Sequence, residues 1–384
     1  MMPNNKYLTN ILSSKTEDFE FLRPIKNIPI FNGCVDISEK KEKDKLIDLD
    51  FAIGKETGLI QIGTLPNLNE VYESQTTTAP IGKTWIDHHL EFSKLISKYN
   101  SKAILEYGGA NGYLGSLCLK NNYVDRWKIV EPNPIIDSDK IEVVKDFFQP
   151  KKHINKCFDS IVSSHVFEHL QNPYITNKEI SEEMPKDSLM FISLPAIWDW
   201  VKKFQPNGLN QEHIYLLSEV HFEELSDASG FDLVEKKYFA DRHSIFYVFK
   251  NRKNNYREPV YKNIYQESLE IYNKYVDHFF TTAESINLKL TNFDLDKYSV
   301  YIFGAHVFTQ FLVAAGLKEK NFKAVLDNNP SKNGKRLYGT SLITNQPELI
   351  AKDEYPVVVV KAGGYTKEIC NQLKNLNKKV EIIL

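Results

Sequence analysis

The chain is poor in cysteine. Its four thiols, Cys34, Cys118, Cys157 and Cys370, are scattered, and no two stand at a C-x-x-C spacing. Thiols placed this way offer neither a disulfide framework nor a four-thiolate zinc site, and no metal is expected. Long apolar runs are also missing: nothing approaches the roughly 18 uninterrupted apolar residues of a membrane-spanning helix. The opening MMPNNKYLTN has no apolar core of a signal peptide, so a cytoplasmic protein is expected. Nor is there an excess of either charge. A net charge of −2 with both signs interspersed recommends neither nucleic acid nor a membrane surface as partner. A small-molecule partner fits better. No internal repeat is found either.

What the chain does have is length and apolar mass. Its 384 residues exceed what one hydrophobic core usually serves, and 42% hydrophobic residues, with 23 Phe and 20 Tyr, are ample for two. Three textures follow one another. Residues 1–85 are irregular and rich in Asn, Pro, Ile and charge, and read as a small N-terminal cap with strands within 21–34 and 59–65. From 86 to 250, an amphipathic helix over 85–99 precedes short apolar runs at 103–106, 127–131, 160–164 and 189–194, each separated by a helix-length interval. Such alternation predicts an α/β domain with a doubly wound parallel sheet. Residues 251–294 read as a polar linker and a tyrosine-rich helix. The rhythm then resumes over 295–384, with apolar runs at 299–303, 322–326, 357–360 and 380–383, and predicts a second, smaller Rossmann-like α/β domain.

The chemistry concentrates where the first of these strands ends. Ile104–Gly112 reads ILEYGGANG, so the strand delivers Glu106 and then Gly108, Gly109 and Gly112 into a turn before the next helix. A backbone that must touch a cofactor cannot carry bulky side chains, and a tight strand-to-helix turn favours dihedrals that glycine tolerates. Glu131 follows 19 residues after Gly112, at the end of the next apolar run, where a carboxylate can accept hydrogen bonds from both hydroxyls of a ribose. Two nucleosides compete for such a site. A dinucleotide favours G-x-G-x-x-G and a pyrophosphate at the helix terminus, but this loop begins with an acid, which would repel that pyrophosphate. Beside the ammonium and sulfonium of S-adenosylmethionine an acid is favourable.

On these residues the chain resembles class I S-adenosylmethionine-dependent methyltransferases. Glu106–Gly112 is similar to their E-x-G-x-G-x-G loop, with Ala110 in place of the middle glycine. Asp146 and Phe147 resemble the acid and neighbour that meet adenine, and Ser163–Pro173 (SSHVFEHLQNP), which includes Ser164, resembles a strand-end segment of the family. The resemblance covers roughly residues 86–250. A narrower one comes from the end of the chain. Ile302–Ala305, with Leu326–Lys332 and Gly334, resembles the C-terminal domain of sugar C-methyltransferases, which act on nucleotide-linked deoxysugars. That group has a zinc-binding N-terminal domain. Here only Cys34 precedes residue 118, so the zinc is expected to be absent. The C-terminal lobe lacks G-x-G-x-x-G, and walling the acceptor cleft is its expected role.

The resemblance also supplies catalytic candidates. His169 stands in Glu168-His169-Leu170, and Asn210–Tyr215 (NQEHIY) is similar to a Y-H-E-H-x-x-Y stretch whose first two positions are changed here to Asn210 and Gln211. His213 and His169 are therefore candidates for a base or for orienting the acceptor, and Glu212 for holding a histidine or an acceptor hydroxyl. Each has a plainer alternative: a histidine bonded to a loop, or an acid at a helix N-terminus. Tyr72, His88 and Asn210 are the acceptor-site candidates, and His88 could equally lie on the surface. The expected activity is methyl transfer from S-adenosylmethionine to a sugar or nucleotide-linked sugar, such as a capsule, surface-glycan or secondary-metabolite precursor. The alternatives are O- or N-methylation of another small metabolite, and a binding or scaffold protein without turnover.

Overall fold

The computed structural model describes residues 5–65, 82–136, 138–206, 208–210, 212–362 and 366–384. Two compact units emerge. The first comprises residues 1–21, 52–200 and 212–269, and the second 22–51, 201–211 and 270–384.

The first unit is built on a seven-stranded sheet in the order Ile141–Val144, Arg126–Val130, Ala103–Tyr107, Ser160–Ser164, Leu189–Pro195, Ser244–Asn251, Phe231–Phe239. The first five strands are parallel, and the sheet's central three are buried almost throughout, as suits a sheet covered on both faces. The last two form an antiparallel hairpin that pairs with Leu189–Pro195. Helix Lys83–Ser97 forms where the sequence predicts one and buries Phe92, Leu95 and Ile96. They pack with Ile104, Trp127, Val162, Phe191 and Phe246 in one cluster. Each fully buried side chain of this size contributes roughly 1.5–3 kcal/mol. The order of the strands fixes where a ligand can bind. The chain runs outward from Ala103–Tyr107 to the strands at 126–130 and 141–144, then returns to pair Ser160–Ser164 on the other side. A crevice opens at the carboxyl ends of the strands wherever the winding reverses in this way. A smaller antiparallel sheet of Asn5–Thr9, Thr16–Phe21, Phe51–Gly54 and Ile60–Ile62 completes this unit.

The second unit centres on a five-stranded parallel sheet in the order Thr344–Asn345, Ala324–Leu326, Ser299–Phe303, Pro356–Val360, Glu381–Ile383. The sequence expectation of a second, smaller Rossmann-like domain matches this sheet. The expected cap over 1–85 is divided differently: residues 22–51 group with the C-terminal sheet. Cys34–Val35 pairs with Arg336–Leu337, and the Arg336 guanidinium donates to both carboxylate oxygens of Asp44 at 2.6 and 2.8 Å. The Gly339 amide adds a third donor to Asp44 at 2.7 Å. Partners about 290 residues apart leave no local signal, which is why a reading along the chain assigns these residues to the cap. Among the described residues, no helix is long and apolar enough to cross a membrane.

Both members of this ion pair are nearly inaccessible, at 6% and 4% exposure. Removing one partner of a buried pair strands the other charge. Asp44→Ala is therefore expected to cost about 3–5 kcal/mol in chemical denaturation. Replacing both residues with apolar side chains should recover most of the loss.

Candidate active site

The turn after Ala103–Tyr107 runs through left-handed backbone. Gly108 has φ 72°, Ala110 43° and Gly112 68°, and Gly112 is the N-cap of helix Tyr113–Lys120. A side chain on Gly108 would bring its Cβ to 2.2 Å from Val166 Cγ2, so only glycine fits. Ala110, which replaces the middle glycine of the motif, holds the strained conformation with a Cβ. Glu131 fastens the turn to the neighbouring strand end. Its carboxylate accepts from the Ala110 amide at 3.2 Å and the Asn133 amide at 2.9 Å.

Beside this turn lies a cavity of about 320 Å³, within the range of small-molecule sites. It brings together Gly108, Ala110, Glu131 and Phe147 from one side, and His165, His169 and Glu212 from the other. The glycine cradle, a carboxylate at the second strand end and an aromatic face fit the nucleoside and amino-acid parts of S-adenosylmethionine. Glu106, Gly109, Gly112, Asp146, Ser164, His88, Asn210 and His213 are not among the described residues that line it. Glu106 is buried, accepts from Trp127 Nε1 at 2.8 Å, and is pushed up to about 7 by its burial. Asp146 accepts from Lys152 Nζ at 2.5 Å, and that bond holds its carboxyl below the usual range. His88 is buried, with Nε2 2.8 Å from Ser193 Oγ, among the rings of Trp85, His165 and Phe246. Asn210 is buried and belongs to the second unit. Tyr72 lies outside the described residues.

Opposite the glycine turn, the Ser160–Ser164 strand ends at His165, whose own φ is 53°, and Phe167–His169 forms a single tight turn. The Tyr215 hydroxyl donates to the Phe167 carbonyl at 2.7 Å. Tyr215 is held in turn by the Ile60–Ile62 strand, because Ile62 N donates to Ile214 O and Leu216 N to Ile60 O, both at 2.8 Å. This anchoring brings the His213 ring to 5.0 Å from that of His169. His169 Nδ1 lies 2.9 Å from the Glu212 carbonyl, which can only accept. The bond therefore places the hydrogen on Nδ1, and a neutral His169 keeps its lone pair on Nε2.

That lone pair faces Glu168. Its Oε1 stands 3.7 Å from His169 Nε2 and 3.9 Å from His165 Nδ1. Glu168 is 1% exposed, and among the described residues neither of its oxygens has a hydrogen-bond partner. Burial pushes its carboxyl up to about 7, while burial holds His165 well below the ordinary imidazole range. The donor atoms of Glu168, His169 and His213 lie within 4.8 Å of one another, close enough to bracket one cation or one shared proton. Sequence reasoning picked His169 and His213 but passed over Glu168 and His165. Their signal was in the quoted segment Ser163–Pro173, where all three ionisable groups follow one strand end.

The strand order, glycine turn and acid at the second strand end define a class I S-adenosylmethionine-binding methyltransferase fold. Residues 81–236 match the methyltransferase domain family, and residues 256–383 match the C-methyltransferase C-terminal domain. The protein is therefore an S-adenosylmethionine-dependent methyltransferase. Comparison with curated proteins gives no match. Among solved structures, the chain is similar to the N-methyltransferase NodS from Bradyrhizobium japonicum WM9 at 14% identity, over 46% of this chain and all of that one, with a TM-score of 0.35. It is also similar to the plantazolicin methyltransferase BpumL in complex with S-adenosylhomocysteine, at 13% identity over 44% and 86%, with a TM-score of 0.34. A third is the mitomycin 7-O-methyltransferase MmcR, at 15% identity over 43% and 54%, with a TM-score of 0.36.

Two outcomes are expected. Gly108→Ala should weaken S-adenosylhomocysteine binding by about tenfold or more in titration calorimetry, because the added Cβ forces the turn away from Val166. The second concerns pH. Folding raises the Glu168 pKa from its ordinary 4.5 to about 7, so the folded state holds this proton more tightly than the unfolded state. Stability contributed by the protonated carboxyl is full below about pH 4.5 and is lost as pH rises through 7. Glu168→Gln should remove roughly 3 kcal/mol of that pH-dependent loss, read as a shallower fall of denaturation free energy between pH 5 and 8.

Proposed function

We infer that the protein methylates a carbon atom of a sugar or nucleotide-linked sugar, with the His169–His213 pair as the base. The observation that carries this reading is the cluster of imidazoles and a buried carboxylate beside the cavity formed by Gly108, Ala110 and Glu131. S-adenosylmethionine, when bound, supplies a methyl group on a positively charged sulfonium. The chain must position the acceptor atom against that group and remove its proton. A carbon next to a carbonyl needs such a base. His169 is suited to the task because the Glu212 carbonyl fixes its tautomer and leaves Nε2 to accept. Glu131 and Phe147 hold the donor side, so both functions meet at one cavity. The C-methyltransferase C-terminal domain over 256–383 supports carbon as the target, and the likeness of 302–334 to sugar C-methyltransferases supports the sugar.

The test is incubation with isotope-labelled S-adenosylmethionine and pools of nucleotide-linked sugars, followed by mass analysis of the labelled product. A label on a sugar carbon supports the reading. A label on oxygen or nitrogen of another metabolite replaces it. His169→Ala and His213→Ala should each lower transfer by roughly 10²–10⁴-fold while S-adenosylhomocysteine affinity is retained. A double alanine variant with full turnover would refute the base assignment.

A further inference from the structure

Behind His169, the proposed base, ionisable and hydroxyl side chains follow one another away from the cavity. His243 Nδ1 lies 2.8 Å from Ser244 Oγ, and Ser244 Oγ lies 2.9 Å from His165 Nε2. The other nitrogen of His165 faces Glu168 Oε1 at 3.9 Å, and the same oxygen faces His169 Nε2 at 3.7 Å. His165 and His169 line the cavity, whereas His243, at the far end, is only partly buried. We propose that His169, Glu168, His165, Ser244 and His243 form a proton relay, which carries the proton removed from the acceptor out of the cavity to solvent.

Three features support this assignment. The Ser244 hydroxyl has one hydrogen between two ring nitrogens, so it donates to one and accepts from the other. The pair of bonds therefore has a direction, and passing one proton along it reverses that direction. Second, Glu168 is buried and, among the described residues, no hydrogen-bond partner reaches either of its oxygens, which is costly unless a proton or charge does. Nitrogens of two different rings, His169 and His165, face its Oε1 at 3.7 and 3.9 Å. Third, His165 holds a left-handed backbone at φ 53°, the strained conformation that aims its ring between Ser244 and Glu168. The inner gaps of 3.7 and 3.9 Å exceed a hydrogen bond. They close through small side-chain shifts or one bridging water as the acceptor enters.

The transfer balances. His169 Nε2 takes the acceptor proton and passes it to Glu168 Oε1, which passes it to His165 Nδ1. His165 releases the hydrogen on Nε2 to Ser244, Ser244 releases its own to His243 Nδ1, and His243 loses one from Nε2 to water. The ionisable groups flanking the path are Glu212, His213, Tyr107 and Tyr215 around Glu168, and His88, His89 and His213 around His165. Burial keeps His88 and His165 neutral, so each ring carries one donor and one acceptor, as a relay requires.

The proposal rests on the base assignment above, and two measurements separate the two. In ring-nitrogen NMR of the histidine-labelled full chain, His165 should be the Nε2–H tautomer and should lose that preference in Ser244→Ala. An Nδ1–H tautomer unaffected by the substitution overturns the relay, whether or not an acceptor has been found. In the transfer assay, Ser244→Ala and His243→Phe should each lower kcat by roughly ten- to a hundredfold, with KM and S-adenosylhomocysteine affinity unchanged. Ser244→Thr, which keeps the hydroxyl, should restore turnover, and added imidazole should restore part of it to His243→Phe. Unchanged turnover in both variants overturns the proposal. So does loss of activity on treatment with EDTA that a divalent cation reverses, because a metal would then hold Glu168 and His169.

Discussion

The left-handed turn at residues 108–112 is the constraint on which the rest of the site depends. The chain reverses direction there within five residues, and the reversal leaves the Ala110 amide facing the end of the next strand. Glu131 accepts that amide and the Asn133 amide together, and Ile135 N donates to the Ala110 carbonyl at 3.1 Å, so side chain and backbone both fasten the two loops. The close approach of Val166 to Gly108 then joins the third loop, which carries His165, Glu168 and His169, to the same point. The glycine turn and the loop carrying the histidines are thereby held to one another, and the cavity beside them lies at the carboxyl ends of the strands.

Three glutamates near this crevice show how environment divides roles among identical side chains. Glu131, satisfied by two amides, is a fixed acceptor at the cavity edge. Glu106, buried against the Trp127 indole and absent from the described lining, packs and bonds within the core. Glu168, buried without a hydrogen-bond partner among the described residues, faces two imidazoles instead. Pushing the ionisation of neighbouring groups apart is how one fold separates acids from bases. Here His165, held well below the ordinary range, sits beside a carboxyl raised to about 7.

Much of this was legible in the sequence because it is local. The strand at 103–107, its glycine turn and Glu131 lie within 30 residues, and each leaves a pattern: an apolar run, small residues, an acid at a fixed interval. The strand at 141–144 and the hairpin at 231–251 were not read. Ile141-Glu142-Val143-Val144 is too short and too exposed to stand out, and the hairpin pairs with a strand about 50 residues away. The membership of 22–51 in the second unit rests on partners such as Asp44 with Arg336 and Phe31 with Gln310, which are far apart in the chain and leave no local pattern. Glu168 and His165 were overlooked because their importance lies in what surrounds them. A buried acid without a donor cannot be recognised from its letter, whereas His169 and His213 were found through motif likeness.

On this reading the cavity bounded by the glycine turn and Glu131 holds the methyl donor. Titration calorimetry of S-adenosylhomocysteine into the wild-type chain and into Glu131→Ala tests it most directly. Saturable one-site binding to the wild type is expected, with a loss of at least about tenfold in affinity in the variant and the fold retained. Binding that is absent from the wild type, or equal in the two proteins, would contradict it.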